Sequence, residues 1–116
     1  MSAHVRAPVC MTRVMEENFA YNLKLKDYAQ LCHMSLSTFK KSFNQYYQTT
    51  PAAWLQQRKL QHAVHLVLHG DLSISEISLE CGFEDASHFI RVFKQAHQLT
   101  PLQFRQKQLN LAGNKT

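Results

Sequence analysis

Glycine, proline and cysteine occur only three times each in the 116 residues, and no run of alternating β-branched residues is present. Strands need that alternation and the turn residues between them, so a sheet is not expected. No apolar run approaches the ~20 residues of a membrane helix, and the N-terminus lacks the apolar stretch of a secretory leader. Cys10, Cys32 and Cys81 are an odd number, and the last two lie in apolar-periodic segments. Reduced thiols in a cytoplasmic protein fit that better than a disulfide framework. Catalytic groupings are missing too: there is no nucleophile–base pair with an orienting third group, no glycine-rich phosphate loop and no paired carboxylates. Neither an enzyme nor a cofactor is expected.

Histidine, by contrast, occurs seven times. His62, His65 and His69 fall within ~60° of one another on a helical wheel, so their imidazoles could converge on a metal. Arg58 shares that edge and would repel a cation, and no carboxylate or cysteine joins in sequence. A stripe facing solvent or DNA is the expected reading, with no metal.

Hydrophobic residues make up 45% of the chain, enough for a packed core, and the net charge is +5 with a pI near 9.3. A polyanionic partner follows as a first guess. Lys and Arg outnumber acids six to three over residues 1–51 and two to none over 52–70, and balance five to five over 71–116. The positive excess lies wholly in the front two-thirds.

The chain reads as helical. Val14, Met15 and Phe19 give "MTRVMEENFAYN" a buried stripe. Leu25, Tyr28, Ala29 and Cys32 keep helical spacing, a break follows at His33–Met34, and Ser35 or Ser37 caps the next helix. Pro51 and Gly70 bracket a long helix. The expected division is a tail at 1–10, a first subdomain at 11–50, a linker helix at 51–70, a second subdomain at 71–109 and a tail at 110–116.

Residues 32–51 and 81–101 spell the same pattern. Leu25, Ala29 and Cys32 match Ile74, Ser78 and Cys81; after one extra residue, Ser37, Phe39, Phe43, Gln48, Thr50, Pro51 and Trp54 match Ser87, Phe89, Phe93, Gln98, Thr100, Pro101 and Phe104. Two copies are too few for a solenoid. Each copy is helix, tight turn, helix. His33 occupies the place of Gly82, where such a turn needs a left-handed residue.

On a wheel centred on Phe39, Leu36, Phe43 and Tyr46 form the buried stripe. Ser37, Lys41, Asn44 and Gln48 lie opposite, with Lys40 on the flank. Centred on Phe89, the wheel buries Ala86, Phe93 and Ala96 and exposes Ser87, Arg91, Lys94 and Gln98, with Ile90 on the flank. Neither exposed face holds an acid. Ser, Asn, Gln, Lys and Arg are the side chains that reach phosphates and base edges in a major groove. The linker helix would span ~27 Å, against ~34 Å between successive major-groove faces.

The segment "ISEISLECGFEDASHFIRVFKQAHQLTP..FR" and the linker pattern "R..L..A..L.L" from Arg58 to Leu68 resemble the DNA-binding domain of AraC/XylS-family bacterial transcription regulators. The resemblance covers about residues 12–109. It implies an all-α fold of seven helices, with two helix-turn-helix subdomains joined by a long linker helix. It also implies sequence-specific binding of double-stranded DNA, with both recognition helices in adjacent major grooves of an asymmetric site. Carried over, the reading positions are Ser37, Lys40, Lys41, Ala86, Ser87, His88, Ile90 and Arg91. Asn44, Arg58 and Lys94 complete the expected DNA-binding set. A cytoplasmic, nucleoid-associated activator is implied, with RNA polymerase as a protein partner. Most members carry a further N-terminal effector or dimerisation domain, so the expected readings are a stand-alone short member or a fragment of a longer regulator. Gln48 and Gln98 stand where the family usually has glycine. The rival reading is a helical module that docks an acidic protein through the same surface.

Overall fold

The computed structural model describes the backbone of residues 3–113 and the side chains of residues 10–111. The described residues form seven α-helices and no strand: α1 (Ala3–Asn18), α2 (Leu25–Leu31), α3 (Leu36–Tyr47), α4 (Pro51–Leu68), α5 (Ile74–Glu80), α6 (Ala86–His97) and α7 (Pro101–Gly113), with a 3₁₀ turn at Phe19–Tyr21. Both ends are more helical than the sequence suggests. Residues 3–10 continue α1 and 110–113 continue α7, because lengthening an existing helix adds one hydrogen bond per residue without a new nucleus. The rest of the expected tails, residues 1–2 and 114–116, lies outside the described residues. The first helix also stops early. Asn18 begins the 3₁₀ turn, and Asn22 leaves it with φ 60°, a left-handed stop that asparagine tolerates.

Helix starts follow local chemistry. Ser35, not Ser37, caps α3, its Oγ accepting the Thr38 N–H at 3.2 Å. Ser73 and Glu76 exchange hydrogen bonds at the start of α5, at 3.1 and 2.8 Å, and Thr100 and Gln103 do the same before α7, at 3.1 and 2.9 Å. Asp85 Oδ1 accepts the His88 N–H at 2.7 Å to open α6. Pro51 and Pro101 open α4 and α7, where a missing N–H costs nothing.

Contacts divide the chain within α4, one unit ending at Arg58 and the other beginning at Lys59. The helix expected as the linker, α4, contributes to both units: Leu55 belongs to one core, and Leu60, Ala63 and Val67 to the other. In the first unit Met11, Met15, Phe19, Tyr28, Ala29, Phe39 and Phe43 join Leu55. In the second, Ile77, Cys81, Phe83, Phe89, Val92 and Phe93 join the α4 residues. The repeat extends into ring packing. Phe43 meets Trp54 edge-on at 6.3 Å, and Phe93 meets Phe104 edge-on at 5.5 Å.

Ala29 and Ser78 are both buried within the first helix of their turn motif, where small side chains let the two helices approach. Among the described residues the Ser78 hydroxyl has no hydrogen-bond partner. A buried unpaired hydroxyl costs about 1–3 kcal/mol, so Ser78→Ala is expected to raise the denaturant midpoint with an unchanged m-value, by about 1 kcal/mol or more of stability.

The turns use left-handed backbone at matching places. His33 has φ 58° and Gly82 φ 85°; Gln48 and Gln98 end α3 and α6 at φ 57° and 63°. Each glutamine is held by its own N–H, donated to Asn44 O at 2.8 Å and to Lys94 O at 2.7 Å. A left-handed non-glycine residue costs about 1–2 kcal/mol, partly offset by glycine's greater freedom when unfolded. Thermal melts of His33→Gly should therefore show a gain of about 1 kcal/mol; a lower melting temperature would mean that the imidazole holds the turn.

Candidate nucleic-acid interface

Within the first unit, α3 presents Ser37, Lys40, Lys41 and Asn44 to solvent, while Phe39 and Phe43 anchor the opposite side. Neither lysine takes part in an ion pair among the described residues. Leu36, expected in the buried stripe, is 38% exposed; as the first residue of α3 it sits at the edge of the packing. Arg58, one of the expected DNA-binding residues, is partly exposed and is engaged within its own unit. Its Nε donates to Glu16 Oε1 at 3.0 Å, and its guanidinium lies 4.4 Å from the centre of the Phe19 ring. Arg13 is likewise offset, by Glu17 at 3.4 Å.

In the second unit, α6 exposes Ser87, Arg91 and Lys94, with Ala86 half-buried at its start. His88 is half-buried too, its ring edge-on to Phe83 at 5.9 Å. Two expectations fail. Ile90, expected as an exposed flank residue, is half-buried and packs against the apolar core, and Ala96 is exposed while Val92 is buried. The wheel gives direction, not how far neighbouring helices reach: the core covers the flank holding Val92 and Ile90 and leaves Ala96 outside.

Lys59 is a residue whose role the sequence did not show. Its Nζ donates to Gly82 O at 3.0 Å and lies 5.7 Å from the centre of the Phe83 ring. Burial pushes its pKa down, against Glu84 and Cys81, which push it up. The ammonium thereby holds the carbonyl of the turn that leads into α6. Only its position beside Leu60 on the inward side of α4 hinted at this, since no periodicity links residue 59 to residue 82. Arg105 acts similarly on α4, donating from Nε to Val67 O at 2.9 Å and from a terminal nitrogen to Leu66 O at 3.4 Å.

Burial also sets the acid–base limits of both units. Cys81 is pushed up from 9.0 to about 12 by desolvation, with Glu80 adding and Lys59 opposing. Tyr28, whose hydroxyl donates to Asn18 O at 2.9 Å, is pushed up from 10.0 to about 12 by desolvation and then Asp27. Above pH ~9 the unfolded chain sheds the thiol proton while the folded chain keeps it, so stability is complete below that pH and declines as pH rises. The slope reaches about 1.4 kcal/mol per pH unit for each group. Denaturant unfolding across the alkaline range should show this decline, and Cys81→Ala should flatten the part that begins near pH ~9.

Two equivalent helix-turn-helix motifs, each offering an acid-free helix face, define a class. The helix-turn-helix domain family matches residues 28–107. The chain is 34% identical over 103 residues to the virulence regulon transcriptional activator VirF of Yersinia enterocolitica, covering 89% of this chain and 38% of the relative. It is 35% identical over 92 residues to the transcriptional regulator ExsA of Pseudomonas aeruginosa, covering 79% of this chain and 33% of the relative. The C-terminal domain of the response regulator YesN from Fusobacterium nucleatum superposes with a TM-score of 0.82 at 27% identity, over 86% of this chain and 98% of that one. The chain belongs to the helix-turn-helix domain family of AraC/XylS-type regulators. It spans only about a third of the length of the curated relatives described here.

Proposed function

We propose that this chain binds double-stranded DNA sequence-specifically, with α3 and α6 as recognition helices in adjacent major grooves of one asymmetric site. The observation that carries the reading is the duplicated exposed face: Ser37, Lys40, Lys41 and Asn44 on α3, and Ser87, Arg91 and Lys94 on α6. Lysine and arginine neutralise phosphates, while serine, asparagine and arginine also suit base edges. Ala86 and His88 lie in the first turn of α6 and complete the second surface. Ile90 contributes by fixing the helix on its core, and Arg58 by bracing α4 against α1.

The same reading makes the chain the DNA-binding part of a bacterial transcription activator working in the cytoplasm at the nucleoid. RNA polymerase is its protein partner, and an effector or dimerisation domain accompanies it in a longer protein. Family membership and relatives described as transcriptional regulators support this. Mobility-shift titrations at several salt concentrations, on a selected duplex and a scrambled one, test it. Affinity should fall steeply with salt and keep a sequence preference. Equal binding to every duplex, alongside tight binding to an acidic protein, would favour the protein-docking reading.

A further inference from the structure

His65 and His69 occupy the last turn of α4 and its exit, and both are exposed. The His69 N–H donates to His65 O at 2.9 Å, so helical geometry continues through the pair. Residues four apart project from one helix face. Their ring centroids stand 4.9 Å apart with the planes at 44°. Two imidazoles on one divalent ion, with metal–nitrogen bonds of about 2.0–2.1 Å at angles of about 90–109°, place their centroids about 4.6–5.3 Å apart. The observed separation falls inside that window.

Separation alone would also suit two rings in contact, but two further observations favour a ligand. Among the described residues no hydrogen bond or ion pair occupies the ring nitrogens of either histidine. The pair also stands at a helix C-terminus, the negative end of the helix dipole, which favours a cation. The charged neighbours nearly cancel: His69 lines a cleft with Arg105 and Asp71, and Arg105 already donates to the Val67 and Leu66 carbonyls.

We propose that His65 and His69 form a two-imidazole chelate for a divalent transition-metal ion of the Ni²⁺, Cu²⁺ or Zn²⁺ class, with water completing the coordination. Imidazole suits these ions, and copper should bind most tightly in the series. A bound ion ties together the final turn of α4, immediately before Gly70, and stabilises the unit that carries α6. His62 lies on the same edge in sequence but is no part of the chelate, since among the described residues no three potential ligands come together.

The test uses the untagged chain, titrated with Ni²⁺ by calorimetry and melted with and without the ion. His65→Ala and His69→Ala should each weaken binding by about tenfold or more, because either change removes the effective concentration that a chelate supplies. The double variant should bind no more tightly than either single variant, and His62→Ala should stay within about twofold of the parent. The ion should raise the melting temperature of the parent and of His62→Ala, but not of the other variants. Cys10, an exposed thiol, contributes equally to all versions and drops out of the comparison. Losses of only about twofold for His65→Ala and His69→Ala, as independent imidazoles would give, overturn the proposal. So does a loss at His62→Ala equal to theirs, or no site-dependent binding at all.

Discussion

Lys40→Ala combined with Lys41→Ala is expected to flatten the plot of log affinity against log salt by about one to two units. Each phosphate neutralised on B-DNA contributes about 0.9 to that slope through released counterions. Both ammonium groups are exposed and free of ion pairs among the described residues, and the α3 sequence has no acid to oppose them. Exposed Lys24 and Lys26 lie in the same unit. The second unit differs: the exposed acids Glu84 and Asp85 lie just ahead of the helix that carries Arg91 and Lys94, and Asp85 is fixed there by the His88 N–H at 2.7 Å. Arg91→Ala should therefore change the slope by about one at most, yet cost about 1–3 kcal/mol at its cognate base. Binding at four salt concentrations, on selected and scrambled duplexes, measures both. A larger slope change from Arg91→Ala than from the lysine pair would show that the acids are screened.

Phe93→Ala should remove about 3–5 kcal/mol from the second unit. Phe93 is fully buried and meets Phe89 at 5.8 Å, His97 at 4.6 Å and Phe104 at 5.5 Å. Its loss leaves a cavity bordered by rings that cannot all collapse into it. Domains of this size have about 5–15 kcal/mol to lose, so the effect is a large share of the whole. Trp54, the only tryptophan, packs on Phe43 in the first unit, which gives each unit its own signal. Circular dichroism should show an early transition in the variant, while tryptophan fluorescence keeps its parent midpoint. If both signals move together, the two cores unfold as one through α4.

Helix order, the duplicated turns and the aromatic anchors were legible because periodicity and the matching Phe, Thr-Pro and Ser positions report local structure directly. The left-handed residue at His33 was legible for the same reason, by its place opposite Gly82. Ile90, Arg58 and Lys59 were not. What each touches is decided by residues 16, 19, 82 and the second core, most of them outside the helix that holds it. A wheel drawn for one helix carries no information about its neighbours. The helix ends failed differently, since no sequence signal distinguishes a tail from a helix that simply continues.

The placement of Leu55 in one core and Leu60 in the other has a consequence for synthesis. Everything the first unit buries has been made once Arg58 is clear of the ribosome. Helical assemblies with mostly local contacts close in microseconds to milliseconds, whereas the remaining 58 residues take about 3–12 s at about 5–20 residues per second. The first unit is thus finished while the second is still unmade, and its part of α4 offers the later residues a ready-formed turn of helix on which to grow.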